Sequence, residues 1–363
     1  MYGSHGRRPP RATRGRRGAT IRRRARALAA VLAGAALLLA GCSSSGDGKG
    51  GGSASSEPSP TVGQRPKSQA PYWVDPAGNA ARQAASYERE GKSAEAARMK
   101  KIAAQPVAEW IGTEDPRGQT ERVTKAAAKV DRSALLVLYN VPHRDCGQYS
   151  KGGAKDAAAY RKWLDAVVAG IGDRAATVIV EPDALAHVVA EGCTPRKFHD
   201  ERYGLLAEAV TELKRLPDTT VYLDAGNPDW IRDTGALVEP LRRAGIAEAD
   251  GFSLNVSNYQ TTASNIAYGK ELSPKVGNKP FVIDTSRNGN GPLEGAHGDE
   301  EAWCNPPGRA LGEPPTVETG HERVDAYLWI KRPGESDGEC KGGPPAGRWW
   351  PAYALQLARN AKG

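Results

Sequence analysis

An α/β domain built on a mainly parallel sheet is predicted by two patterns in this chain. Short runs rich in apolar and β-branched residues alternate with longer stretches of helical spacing, and acidic residues stand where several of the short runs end. A third observation narrows the class: no Gly-x-Gly-x-x-Gly turn follows the first clear strand, which argues against a dinucleotide-binding sheet. A closed barrel and an open doubly wound sheet both satisfy the alternation.

The strand candidates cover residues 135–141, 177–181, 220–224, 251–256, 280–284 and 326–331. Each is a short run of five to seven residues rich in apolar and β-branched side chains, as expected of buried strands. The second ends in Glu181-Pro182-Asp183, the third in Asp224 and the fifth in Asp284. The first leads into His143-Arg144-Asp145-Cys146, and the sixth is followed by Glu335-Ser336-Asp337. Helical spacing occupies 157–171, 203–216, 234–244, 263–276 and 349–360. Residues 285–292 and 305–309 are rich in Gly, Pro and Asn, and read as functional loops. Acidic residues leaving several strands of a parallel α/β domain suggest a catalytic face.

The N-terminus reads as an address. Ten arginines and no acid precede the 14-residue apolar stretch 27–40, the order of a secretory signal, and the stretch is shorter than the ~20 residues that span a bilayer. Leu39-Ala40-Gly41-Cys42 looks like a bacterial lipobox, so residues 1–41 are expected to be a lipoprotein signal peptide and Cys42 a lipidated N-terminus. The arginine pairs fit twin-arginine export as well as the general route. Residues 42–70, rich in Gly, Ser and Pro, read as a flexible tether, and 71–363 as a single catalytic domain. The expected location is the outer face of the cell membrane, with release to the medium as the alternative.

The formal charge of +8 belongs to the leader. Without its ten arginines, 40 basic residues face 42 acidic ones, a net −2, which removes the case for a nucleic-acid partner. Four cysteines remain beyond Cys42: Cys146, Cys193, Cys304 and Cys340. An even set in an exported protein suggests two disulfides with three possible pairings, and the absence of Cys-x-x-Cys spacing argues against zinc.

Hydrolysis of a glycosidic bond needs an acid for the leaving oxygen and usually a second carboxylate. Asp145, Asp183, Asp224 and Asp337 supply more than a pair, and crowding is expected to keep one of them protonated at neutral pH. Singly, such residues cap helices or pair with Arg144 and Lys331; as a set they point to catalysis. Trp110, Trp230 and Trp303 fall in or beside the same loops, where flat rings could stack on sugars.

Nine ordered segments resemble glycoside hydrolase family 6, the inverting β-1,4-glucanases that include endoglucanases and cellobiohydrolases. They are Tyr72-Trp73-Val74-Asp75-Pro76, Gln105-Pro106-Val107-Ala108-Glu109-Trp110, Pro142-His143-Arg144-Asp145-Cys146-Gly147, Val180-Glu181-Pro182-Asp183, Leu223-Asp224-Ala225-Gly226, Asn255-Val256-Ser257-Asn258-Tyr259, the run from Ile283 to Pro292, Trp303-Cys304-Asn305-Pro306, and the run from Trp329 to Gly338. The resemblance implies a distorted, incomplete (β/α) barrel. It implies Asp183 as proton donor, Asp145 as the neighbour that keeps the donor protonated and relays a proton through water, and Asp337 as candidate base. Tyr139 matches the tyrosine that helps distort the sugar, and Ser150 the serine that holds the catalytic water. Trp110, Trp303, Lys331 and Glu335 match glucose-binding positions on the non-reducing side, and Trp230 and Asn255 positions nearer the cleavage point or beyond. Asp224 and Asn227 join this substrate-binding set. Cys146 would pair with Cys193 and Cys304 with Cys340.

No metal or organic cofactor is implied, and the expected partners are β-1,4-glucan chains or cello-oligosaccharides met by a monomer. Two departures stand out: Asn227 replaces the family's usual histidine, and the loop 147–151 is short, which predicts an open cleft and cleavage within chains. A lipoprotein that binds glucan without turning it over is the competing expectation, and an exo-acting cellobiohydrolase the second.

Overall fold

The computed structural model describes residues 71–147, 149–190, 193–295 and 301–362. The expected signal peptide, Cys42 and tether lie outside the described residues. Seven strands form one sheet, β1 (Glu109–Trp110), β2 (Ala134–Leu138), β3 (Ala176–Val180), β4 (Thr219–Asp224), β5 (Gly251–Leu254), β6 (Phe281–Asp284) and β7 (Val324–Leu328). They lie in sequence order, and every neighbouring pair is parallel. Such an order requires a crossover between each pair. Helices α1 (Asn79–Arg89), α2 (Ser93–Ala103), α3 (Pro116–Ala128), α4 (Ala157–Ile171), α5 (Ala186–Val189), α6 (His199–Lys214), α7 (Val238–Arg243), α8 (Thr262–Leu272) and α9 (Pro351–Asn360) intervene or flank.

The period-2 alternation of strand side chains separates two cores. Leu136, Leu138, Val178, Val180, Val221, Leu223, Phe252, Leu254, Phe281 and Ile283 face the helices, packed with Tyr160, Leu164, Leu206, Val210 and Leu272. The opposite parity, Leu135, Val137, Ile179, Tyr222, Val282, Ala326 and Leu328, converges on a second, inner cluster. That convergence requires the sheet to curl. The Tyr222 hydroxyl on β4 donates to Asp325 on β7 across three strand positions, 2.7 Å away.

Curling stops short of closure: among the described residues β7 does not pair with β1 as strands. The seam is held instead by single bonds, from the Ala108 N–H to the Trp329 carbonyl (3.0 Å) and from Trp110 Nε1 to the Ile330 carbonyl (2.9 Å). The fold is therefore the incomplete parallel barrel that the family resemblance implied, and the open doubly wound alternative falls away.

The six expected strands and five expected helical stretches are present with shifts of a few residues, and 157–171 coincides with α4. The stretches 234–244 and 263–276 each divide into an α-helix and a 3-10 turn. The sequence reading did not identify β1 or α1 to α3. No helix among the described residues is long and apolar enough to cross a membrane.

Candidate active site

The C-terminal ends of the strands carry the acidic residues, and their loops are held by buried carboxylates. Glu181, just past β3, accepts from the N–H groups of Asn140 (2.8 Å) and Val141 (2.9 Å) beyond β2. Asp224, ending β4, accepts from the N–H groups of Asp183 (3.0 Å) and Gly226 (3.1 Å) and from the Ser253 hydroxyl (3.2 Å). Asp284, ending β6, accepts from the N–H groups of Ser257, Ser286 and Lys331, each at 3.0 Å. Each ties the exit of one strand to a neighbouring loop. Eight non-glycine residues of these rim loops, His143, Asp145, Cys146, Glu181, Asp183, Asn255, Ser257 and Asn305, have left-handed φ between 44° and 68°. Such clustering of strained backbone is characteristic of functional sites.

Asp183 is half-buried in this rim. Burial first, then the charges of Asp224 and Asp145, push its carboxyl well above the usual range, against the opposing pull of Lys331. Asp183 thus has the environment of a carboxylic acid that keeps its proton. Burial also raises Asp145, whose Oδ2 accepts from the Ser150 N–H at 2.6 Å. Burial pushes the Asp224 carboxyl up to about 6 despite the hydrogen bonds it accepts. Tyr139 continues the inner face of β2, its ring edge-on to Trp110 with centroids 5.4 Å apart and the Arg144 guanidinium 4.5 Å from its centre.

Asp337 sits in a different environment. Arg287 Nη1 contacts both its oxygens (2.9 and 2.8 Å), Lys331 Nζ lies 3.3 Å from Oδ1, and the Tyr259 hydroxyl and Asn305 N–H each donate to Oδ2 at 3.0 Å. Burial would raise this carboxyl, but Arg287 and Lys331 outweigh it and hold it below the usual range. As the expected base, Asp337 would have to take a proton with its lone pairs already engaged.

The remaining expected residues divide by exposure. Trp110, Trp230 and Trp303 are half-buried, with surface left for a ligand. Glu335 accepts from Arg332 Nη1 at 3.0 Å, and Ser150 lies beside Asp145 through its backbone. Glu335 and Lys331 are buried, and three more of the expected substrate contacts are enclosed and bonded to loop backbone. Asp224 is 1% exposed beneath Asp183. The Asn227 side-chain oxygen accepts from the N–H groups of Asp229 (3.1 Å) and Trp230 (3.2 Å), which fixes the loop bearing Trp230. Asn255 donates to the Asp284 carbonyl (2.8 Å) and accepts from the Gln260 N–H (3.0 Å). All three hold loop backbone in place.

Both expected disulfides form, Cys146–Cys193 and Cys304–Cys340, with Cα atoms 5.3 and 6.2 Å apart. Among the described residues one group, Cys146, His187 and Cys193, has metal-ligand reach, but its two sulfurs are bonded to each other. The short loop makes one contact beyond itself. Tyr149 crosses to the far side, where its hydroxyl donates to Glu301 at 2.6 Å and its ring packs on Gly338. A Cβ at Gly338 would come within 2.3 Å of that ring, so the contact requires glycine.

Arg287, Tyr259 and Asn305 were missed as site residues. Arg287 and Asn305 lie in the Gly- and Asn-rich runs noted above, but nothing local reveals that Arg287 meets an aspartate fifty positions away.

An incomplete parallel barrel with an aspartate whose carboxyl is raised by burial and a ring of supporting carboxylates at its strand ends defines an α/β-barrel protein with a hydrolase-like site. The profile of Glycosyl hydrolases family 6 matches residues 67–361, and the chain belongs to that family. It is 42% identical over 311 residues to Endoglucanase A of Cellulomonas fimi, a match covering 84% of this chain and 63% of that protein. It is 42% identical over 297 residues to Endoglucanase 1 of Streptomyces halstedii, covering 79% and 88%. Among solved structures it is similar to the endoglucanase Cel6 from Mycobacterium tuberculosis in complex with a methyl-cellobiosyl-thio-cellobioside. There the TM-score is 0.74 at 43% identity, over 80% of this chain and 97% of that one.

Proposed function

We propose that this protein hydrolyses internal β-1,4-glucosidic bonds of cellulose or a related β-glucan with inversion at the anomeric carbon. The observation that carries the proposal is Asp183, a partly accessible carboxyl that burial and two neighbouring carboxylates push well above its usual range. Relatives named as endoglucanases over most of the chain support the substrate class.

Asp183 protonates the leaving glycosidic oxygen as the C–O bond breaks, and a water attacks the anomeric carbon from the opposite face. That water must lose a proton. Asp145 is the better acceptor through a relay of water, because its raised carboxyl has one oxygen bonded only to a backbone N–H, whereas Asp337 is saturated by two cations. Asp337 orients Lys331 for sugar binding in this scheme. Trp110 and Trp303 offer rings to the glucosyl units, with Glu335 as an acceptor.

Cellohexaose hydrolysis followed by proton NMR in the first minutes tests this. Internal cleavage releasing α-anomer is expected, and β-anomer would sink the inverting mechanism. Asp183→Asn should lose at least about 100-fold in rate while still binding the sugar. A second reading, release of cellobiose from chain ends, is favoured by Tyr149 crossing to Gly338, and cellobiose as the sole early product would select it.

The same proposal includes export and anchoring of a monomer at the outer membrane face through Cys42. Radiolabelled palmitate should mark the parent chain and not Cys42→Ala.

A further inference from the structure

Resting on the glucanase reading, we propose that Arg202 is a positioning residue: one buried guanidinium on α6 locks the loop that carries Asp145 to the loop that carries Asp183. It thereby fixes the spacing of the two carboxyls between which the reaction runs.

Arg202 is 2% exposed and makes four side-chain hydrogen bonds. Nη2 donates to the carbonyls of Pro142 (3.0 Å) and His143 (2.8 Å), the residues just before Arg144 and Asp145. Nη1 donates to the carbonyl of Ala184 (3.2 Å), which follows Asp183, and to the Thr194 hydroxyl (2.8 Å). Thr194 follows Cys193, whose disulfide partner Cys146 follows Asp145. The disulfide alone joins the first loop to the segment at 193. Glu181 joins the exits of β2 and β3, and the Thr194 N–H reaches the His187 carbonyl. Among the described residues the guanidinium alone bridges the carbonyls flanking Asp145 and Asp183, so all three pieces share one rigid fork.

Burying a cation far from any substrate is costly, and a carbonyl cage that uses the planar fork is a purpose for which lysine could not substitute. Arg202 is buried and bonded to loop backbone, so its influence must pass through the loops. The charged and titratable groups around it are Glu181 beyond β3, Tyr139 beyond β2, Tyr203 on α6 and His187 on α5. Burial, with Arg202 adding to it, pushes His187 down to about 4, so at neutral pH it brings no competing charge. Asp183 in turn faces Asp145, Asp224, Lys331 and Tyr139. If the first loop drifts, the charge of Asp145 acts on Asp183 from farther away, and the donor loses its proton at lower pH.

The test compares the full-length parent with Arg202→Met and Arg202→Lys on cellohexaose across pH, with hydrogen exchange of the segments 140–147 and 183–190. Arg202→Met should lower kcat by about 10- to 100-fold with KM within threefold, and move the basic limb of the rate profile to lower pH. Arg202→Lys should fall between it and the parent. A folded Arg202→Met with the parent's kcat and basic limb overturns the proposal, as does a lowered kcat with an unmoved limb. If Arg202→Met does not fold, Thr194→Val removes one acceptor and keeps the cation; the same changes at smaller amplitude support the clamp, and the parent's profile refutes it. A parent that hydrolyses nothing sinks the glucanase reading. The exchange data then decide separately, since parent-like protection of both segments in Arg202→Met, or in Thr194→Val should Arg202→Met not fold, overturns the clamp.

Discussion

Removing the cation that grips Asp337 should unfold the protein at a distinctly lower temperature, and more so at neutral than at acid pH. The side chains of Arg287 and Asp337 are 0% and 3% exposed, and Nη1 contacts both carboxylate oxygens. Arg287→Met leaves a buried carboxylate with Lys331, Tyr259 and the Asn305 N–H, and breaking such a pair costs about 3–5 kcal/mol. At ~2.1 cal/mol/K per residue over about 290 residues, the unfolding entropy is near 0.6 kcal/mol/K, so the midpoint should fall by roughly 5–8 °C.

The pH dependence follows from the sign of the shift. In the parent, Arg287 and Lys331 overcome burial and hold the carboxyl below its unfolded value. Its contribution to stability is then present above the unfolded pKa of about 4 and lost as pH falls through the folded one. Without Arg287 the balance tips to burial, the folded value rises, and the carboxylate becomes a liability once it ionises. The deficit of Arg287→Met should therefore shrink on acidification toward pH 4, and Arg287→Met/Asp337→Asn should recover part of it at pH 7. Calorimetry or circular dichroism melts at the two pH values measure both. A deficit below about 2 °C at pH 7, or one indifferent to acidification, would refute this account of the pair.

Two further substitutions probe the rim. Asp224→Asn removes a charge that raises Asp183, so the basic limb of cellohexaose hydrolysis should move to lower pH; an unmoved limb would show that burial alone holds the donor's proton. Asn227→Ala deletes the acceptor for two N–H groups of the Trp230 loop, which should cost about 0.5–2 kcal/mol in chemical denaturation and raise KM more than it lowers kcat. A stability change without any KM change would separate Asn227 from the sugar site.

The inner strands were legible because burial on both faces writes itself as an unbroken apolar run, as in Leu135-Leu136-Val137-Leu138. β1 was not, since two residues carry no pattern and its place is set by contacts with Val137 and Ile330. Helix α3 carries a start signal in its sequence, Asp115 capping the Gly118 N–H with Pro116 in the first turn. At the site, the end of β3 announced Asp183. What composition could not show was which polar residues turn inward: Asp224, Asn227 and Asn255, offered as sugar contacts by the family resemblance, also hold backbone in the folded loops. Arg287 and Asp337 meet through tertiary structure alone.

The left-handed residues on the rim bear on any attempt to make the protein sturdier. Positions of this kind cost on the order of 1–3 kcal/mol each, and glycine would relieve that cost. At Asp145 and Asp183, however, glycine would delete the carboxyl along with the strain. Thermostability should therefore be sought away from the barrel mouth, in surface helices such as α2. There the exposed face around Ala94 and Ala97, and an N-cap with no side-chain bond, can accept better capping and charge placement without touching chemistry. Consensus or library designs that smooth the backbone of the rim should yield proteins that melt later and cut less.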